Sequence, residues 1–535
     1  MNQTLPASLH HPAVVLTTLN AKYIHASLGL RYLLSNMARH GGADLRETAR
    51  LREFTISSRL PEVAAELLDE FGEPDSTSPQ ILGLGVYIWN VSQTTELVRL
   101  LKQLRPSLVI VLGGPEVSYE SETQTIVELS DYLITGWGDV SFPKLCCELL
   151  AGNKPPGKII VGEQPALTEL AAPYADYTAD DLAHRLLYVE ASRGCPFKCE
   201  FCLSSLDKTA WAFPLEPFLA ELDTLYQRGA RNFKFVDRTF NLKIDASIRI
   251  LNFFLDRLDD AQGELFVHFE VIPDHLPDKL KAVIALFPEG VLQFEVGVQS
   301  FNEEVQRRIS RQQNNPRTEA NIRWLVEHSQ AHLHTDLIFG LPGESLASFA
   351  EGFDRLYALK PHEIQLGVLK RLRGTPITRH TAEFGMVYDE QAPYVIQATG
   401  AADAETVRGF IRLARYWDLI ANSGRFKLSL PVLLSTRSDG SAFWAFWDFA
   451  NWLWQSTQKT HGLSPENLVD ALFGYLTETQ ELPPEPIRQS LLADYQASGA
   501  RAKPECLRGL FSTRGKPLTL RKQGLSTRQG RHIIN

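Results

Sequence analysis

The sequence predicts an α/β protein in three parts: a doubly wound parallel sheet, a partial barrel of six βα units, and a mostly helical last third. Three observations carry this reading. Short apolar runs alternate with helical periods from residue 13 to 150, the alternation restarts with longer units from 187 to 369, and it stops after about 380.

In the first part, residues 13–19 (AVVLTTL) read as a buried strand, and 25–40 as a helix with Leu28, Leu30, Leu33 and Leu34 apolar. A weaker strand at 51–56 precedes a helix at 61–71, and 81–88 is a strand rich in Ile, Leu, Val and Gly. Residues 92–104 read as a helix with Ser92 as its N-cap. Strand 108–112, helix 123–129, strand 132–135 and helix 142–150 complete the unit. Five strands with five helices argue a doubly wound parallel sheet, whose ligands sit outside the carboxyl ends of the strands. A Pro-rich stretch with Pro155, Pro156, Gly157, Pro165 and Pro173 reads as a linker.

The second part offers strands at 187–191, 233–236, 265–271, 291–298, 333–339 and 363–369. Helical patterns at 216–228, 244–258, 278–286, 303–309, 318–329 and 346–359 separate them. In such barrels the chemistry sits in the loops after the strands. The last third has helical patterns at 406–422, 465–477 and 487–498, and an aromatic run at 443–454 whose spacing is that of a packed core. The expected division is 1–155, a linker at 156–182, 183–380 and 381–535.

Length and composition agree. The chain has 535 residues, about three domains' worth. Hydrophobic residues are 44% and charged residues 22%, and the formal net charge is −9, a poor default for a nucleic-acid binder. From Cys506 to Asn535 there are seven Lys or Arg and no acid, read as a solvated or self-packed tail. No apolar stretch reaches the roughly 18–20 residues of a membrane span, and no secretory leader pattern opens the chain. The six cysteines are too few for a secreted disulfide scaffold, so a reducing, cytoplasmic setting is expected. Cys146 and Cys147 fall on a helical pattern and read as core thiols.

Chemistry concentrates in Arg193-Gly194-Cys195-Pro196-Phe197-Lys198-Cys199-Glu200-Phe201-Cys202, just after the first barrel strand. Three thiolates on one tight loop suit three irons of a cubane cluster, leaving the fourth iron open to a substrate. A zinc site and three unrelated thiols are the alternatives; structural zinc wants four ligands, and no fourth Cys or His lies close in sequence.

The Cys-x3-Cys-x-aromatic-Cys spacing resembles the radical S-adenosylmethionine (radical SAM) superfamily, with Phe201 at the aromatic position. The resemblance implies a TIM-type partial (β/α)6 barrel, a [4Fe-4S] cluster on Cys195, Cys199 and Cys202, and SAM chelated to the open iron. It also implies an electron donor of the reductase, flavodoxin or ferredoxin type. By position after the later strands it points to Asp237, Glu270, Glu295, Gln299, Ser300, Gly340 and Glu344, with Phe201, as SAM contacts. Asn241 is a second polar candidate beside Asp237, and the family's Gly-Gly-Glu is absent there. Each of these also has a plain structural reading, as a cap, ion pair or turn.

The doubly wound unit ahead of the barrel resembles the cobalamin-dependent class of that superfamily, where a flavodoxin-like domain holds the corrin. Gly113-Gly114-Pro115-Glu116 after the fourth strand and Gly136-Trp137-Gly138 after the fifth are the matching pieces. The first loop adds Tyr23 and His25, and the third strand's exit adds Tyr87 and Trp89. The Asp-x-His-x-x-Gly motif of many cobalamin proteins is absent. The last third looks like the helical extension of one cobalamin-type subgroup. The resemblance implies cobalamin-dependent methyl transfer to a carbon of an unidentified substrate. Radical rearrangement or oxidation without methylation, and a non-catalytic cluster or corrin sensor, stay open. No catalytic side chain beyond the cofactor contacts is assigned, and neither a membrane nor nucleic acid is an expected partner.

Overall fold

The computed structural model describes residues 11–74, 79–207, 209–261, 263–500 and 502–510. The expectation for the basic tail falls outside the described residues beyond 510. Among the described residues no helix is long and apolar enough to cross a membrane.

The first sheet is six-stranded and wholly parallel. Its strands are β1 (Val14–Asn20), β2 (Ala49–Thr55), β3 (Ile81–Gly85), β4 (Val109–Gly113), β5 (Tyr132–Thr135) and β6 (Ile159–Val161), in the spatial order β2-β1-β3-β4-β5-β6. Alternate side chains feed opposite faces, as a strand's period of two requires. Val15, Leu82 and Leu84 pack with Val63, Leu67 and Leu97 on one side. Val14, Leu16 and Ile81 pack with Leu30, Met37 and Phe142 on the other. The strand order reverses between β1 and β3, the place where open sheets part to admit a ligand.

Two sequence expectations need correction here. The stretch expected as linker carries β6, paired with β5 from Leu133↔Ile159 to Thr135↔Val161, and a helix at Ala179–His184. β6 is a three-residue edge strand with Val161 82% exposed, so it shows no buried-strand pattern. The helix Val91–Leu104 is capped by Asn90, not Ser92. Asn90 is fully buried. It accepts from the Tyr87 N–H and donates to Thr18 Oγ1, Leu19 O and Gly85 O, tying the ends of β1 and β3 together.

The second sheet holds β7 (Leu187–Val189), β8 (Asn232–Phe235), β9 (Phe266–Val271), β10 (Leu292–Gln299), β11 (His332–Phe339) and β12 (Glu363–Val368), parallel and in chain order. β7 and β12 are the two edges, so the barrel is open. Polar side chains alternate with apolar ones: in β10, Phe294, Val296 and Val298 are buried in the shell, while Gln293, Glu295, Gly297 and Gln299 are not.

The last third packs onto the barrel and shares its core. Helix Ala404–Ile420 covers the β12 edge. Trp417 Nε1 donates to Ile364 O, and Asn422 accepts from Ile364 N while donating to Ile364 O. The aromatic run forms helix Ala442–Thr457, with Phe443, Phe446 and Phe449 buried and Phe443 against Phe349 and Phe353. Cys146 is fully buried in its helix, and burial pushes its thiol far above the ordinary range.

Candidate functional site

β7 ends at Val189, and Ser192–Arg193 pairs antiparallel with Trp211–Ala212, closing the cysteine loop at its base. Gly194 has φ +89, and a Cβ there would lie 2.0 Å from Thr209 O, so only glycine fits this turn. Glu200, inside the motif, anchors the loop. Its N–H donates to Ile309 O, its carbonyl accepts from Ile377 N, and its buried carboxylate receives Ser310 Oγ at 2.5 Å, His380 Nε2 at 2.9 Å and Arg379. Sequence reasoning missed Glu200, because its partners come from the loops after β10 and β12.

Cys195, Cys199, Cys202 and Phe201 line one cavity of about 240 Å³ at the carboxyl ends of the barrel strands. Cys195 and Cys199 are buried, and burial pushes the Cys195 thiol up to about 11 and Cys199 upward. Such thiols become thiolates only when a cation takes the place of the proton. Arg311 donates to Cys199 Sγ at 3.6 Å and also to Gly297 O. Among the described residues, no group of three or more His, Cys, Asp or Glu side chains is arranged to hold a metal ion. The thiols thus do not converge on one small ion, as the zinc alternative requires; a cubane takes one thiolate on each of three irons.

Glu270, Glu295 and Gln299 line the same cavity, with Arg238, Thr239, Gly297, Arg311 and Asp336, which sequence reasoning did not assign. Arg238 pairs with Glu270 at 2.6 Å. Burial opposes ionisation of Glu295, but the His268 hydrogen bond and the charges of Lys234 and His334 hold its carboxyl below the usual range. Burial pushes His268 down to about 4, so it is neutral and donates through Nε2. Gln299 sits at φ +69, beside a register shift between β10 and β11, and its buried Oε1 has no hydrogen-bond partner. A Cβ at residue 297 would lie 2.5 Å from Gln299 Nε2, so Gly297 makes room for that side chain. An orphaned acceptor, a strained backbone and paired charges around a void fit a polar, zwitterionic ligand such as SAM.

Four expected SAM contacts lie elsewhere. Asp237 accepts from Ala191 N at 3.0 Å and Ser192 Oγ at 2.5 Å, bracketing the exit of β7. Ser300 Oγ donates to Glu344 Oε1 at 2.5 Å; both are buried behind the loop after β10. Gly340 turns at φ +91 against Ile396. Each is a strand-end polar or glycine used for packing, which position alone does not distinguish from a ligand contact. Asn241 donates to Ile272 O and to His275 O and accepts from Ile272 N, so it shapes the cavity wall from Val271 to Asp274 without lining it.

A second cavity, of about 500 Å³, opens at the carboxyl ends of β3, β4 and β5. Tyr87, Gly113, Gly114, Pro115, Gly136, Trp137 and Gly138 line it, together with the start of helix Leu28–Gly41. Gly114 is at φ +111, with Val86 O 2.4 Å from where a Cβ would stand. Tyr23, His25, Trp89 and Glu116 are not in its wall. Tyr23 bonds Asp180 beneath the Arg185 guanidinium. His25 meets Tyr188 Oη at 2.8 Å. Trp89 stacks on Tyr87 at 4.4 Å and is 43% exposed, and Glu116 receives Arg373 and Tyr394. The barrel contributes Glu190 and Arg193 to this wall. Arg193 lies 4.6 Å from the ring centres of both Tyr32 and Trp137, and pairs with Asp139 and Glu190. It stands two residues before Cys195, so one loop serves both cavities.

The family comparison decides the barrel. Residues 189–356 match the model of the Radical SAM superfamily. This segment is a radical SAM domain. Such a domain works with a [4Fe-4S] cluster and SAM, and the thiol cavity has the donors for both. Residues 382–516 match a family described as a protein of unknown function, DUF4080. Among curated proteins, an uncharacterized methyltransferase of Pyrococcus horikoshii is 30% identical over 206 residues, covering 33% of this chain and 44% of that protein. The cobalamin-dependent radical SAM methyltransferase TokK of Streptomyces tokunonensis is 25% identical over 342 residues, covering 57% and 48%. The matches therefore span about half the length of these relatives. Two solved structures share the fold. OxsB, a cobalamin-dependent S-adenosylmethionine radical enzyme with aqua-cobalamin and SAM bound, has a TM-score of 0.59 at 14% identity, covering 91% of this chain and 79% of its own. The radical S-adenosylmethionine methyltransferase TsrM of Kitasatospora setae, with tryptophan and a SAM analogue, has a TM-score of 0.55 at 17% identity, covering 69% and 76%.

Proposed function

We propose that this protein is a cobalamin-dependent radical SAM methyltransferase acting on a carbon of a small substrate, with a three-domain division near 155, 183 and 380. One observation carries the reading: a wide, glycine-floored cavity at the sheet's switch point shares a wall with the loop that holds the three thiols. Bound there, the cluster would supply an electron for cleavage of SAM, and cobalamin would supply the methyl group.

The chain's own residues bind and orient. Cys195, Cys199 and Cys202 would hold the irons. Gln299 Oε1 accepts from the ligand, and the Arg238–Glu270 pair offers one charge of each sign to the amino and carboxylate groups of SAM. Gly113 and Gly114 let a flat ligand approach the backbone. Tyr87, Trp137 and Leu33 give it apolar walls, and Arg193 closes the side toward the barrel. His25 is held by Tyr188 outside the second cavity, which favours a corrin without a protein base on cobalt.

The test is anaerobic reconstitution with iron, sulfide and hydroxocobalamin. The expected result is 5′-deoxyadenosine from SAM under dithionite, with stoichiometric corrin absorbance on the protein. Cys199→Ala should abolish the cluster absorbance and the product while retaining the corrin. A wild-type protein that binds corrin but yields no 5′-deoxyadenosine would favour the sensor reading.

A further inference from the structure

A shallow groove of about 960 Å³ lies on the other side of the thiol loop. Pro196, Phe197 and Lys198 form one wall, and the segment from Glu303 to Pro316, after β10, forms the other. Phe197, Arg311, Gln312 and Gln313 line both this groove and the thiol cavity. A single layer of side chains therefore separates the groove from Cys199. The N-terminal unit meets the barrel elsewhere, at Tyr188, Glu190, Arg193 and the Arg371–Arg373 turn. The groove stays open to solvent.

Its charge runs against the molecule. The chain carries a formal net charge of −9. The groove presents Lys198, Arg307 and Arg311 against the lone carboxylate of Glu303, and most of the remainder is Gln and Asn. Lys198 and Arg307 are exposed, Lys198 between two cysteines and Arg307 on the helix Glu303–Arg308. A basic patch on an acidic chain attracts an acidic partner to one place and repels it from the rest.

We propose that this groove docks a small acidic one-electron carrier, such as a flavodoxin, an inference that rests on the radical SAM reading of the thiol cavity. At each encounter the carrier is oxidised by one electron. That electron ends on the SAM sulfonium, whose S–C5′ bond breaks to give methionine and the 5′-deoxyadenosyl radical. Arg307 and Lys198 steer the encounter and make no contact with SAM.

The experiment uses the reconstituted full chain and a purified bacterial flavodoxin. Arg307→Glu, alone and with Lys198→Glu, should weaken flavodoxin binding by about tenfold at low salt, and high salt should remove the difference. Flavodoxin-driven formation of 5′-deoxyadenosine should fall in parallel, Arg307→Lys should restore it, and dithionite-driven formation should stay within about twofold of wild type. Unchanged flavodoxin affinity in the double variant overturns the proposal, as does groove-dependent binding of single-stranded RNA in place of flavodoxin. Failure of the wild type with dithionite would strike the radical SAM reading instead, and the affinity measurement judges the groove in either case.

Discussion

Asp237 and Glu200 illustrate the limits of reading single residues. Both are acids beside the signature loop, and both turn out to hold backbone in place. Burial lifts the Asp237 carboxyl from 3.8 to about 7, against the hydrogen bonds from Ser192 and Ala191 that favour its charge. A raised acid binds a proton in the folded state that the unfolded chain has already lost. Stability from this group is thus fully present below about pH 4 and is lost as pH rises through about 7. Asp237→Asn removes that loss. Urea unfolding of the apo protein should show the variant gaining on wild type between pH 5 and pH 8. A pH-independent difference would contradict this account. The thiol ligands themselves were legible, because three cysteines at fixed spacing on one loop need no distant partner to define them. Arg238, Arg311 and Asp336 were not, since what makes them cavity residues is which way each strand end points.

At the scale of elements, patterns located every barrel strand within a few residues, because buried β-branched and aromatic runs are long there. β6 escaped because an exposed edge strand buries no face. The cap at Asn90 escaped because Ser92 is an equally good cap by type, and only the fold brings Thr18, Leu19 and Gly85 to Asn90. Asn90→Ala leaves the carbonyls of Leu19 and Gly85 short of a donor at the switch point, and should destabilise the protein by about 2–3 kcal/mol. The expected readout is a lowered thermal midpoint together with weaker corrin uptake, since Tyr87 loses the acceptor for its N–H. An unaltered midpoint would mean that water replaces these bonds.

At the scale of the molecule, the two sheets are clasped at two places. Glu116 and Glu120 receive Arg371, Arg373 and Tyr394, while Arg31, Glu53, Asp181 and Arg185 form a buried ion cluster. Removing one member of a buried pair strands the other, at a cost of about 3 kcal/mol. Glu116→Ala should therefore loosen the clasp, giving faster limited proteolysis between residues 154 and 182 and a larger radius of gyration in solution scattering. Identical scattering and cleavage would assign the hold to the second cluster alone. The C-terminal helices belong to this scale too: they share the barrel's core and satisfy Ile364 at its edge, so removing them exposes the β12 strand.

By itself the sequence determined the three-part α/β order, the alternation that builds both sheets, and the cysteine loop that makes residues 189–356 a radical SAM domain. Those features are local: hydrophobic period, turn glycines and ligand spacing are carried by neighbours in the chain. The tertiary structure alone decided which strand-end groups face the thiol cavity, which of Tyr23, His25, Trp89 and Glu116 were spent on joining the sheets, and that Arg193 links the two cavities. A polar side chain at a strand end has the same sequence signature whether it meets a ligand or a backbone amide. Only the packing of distant segments determines which partner stands opposite it.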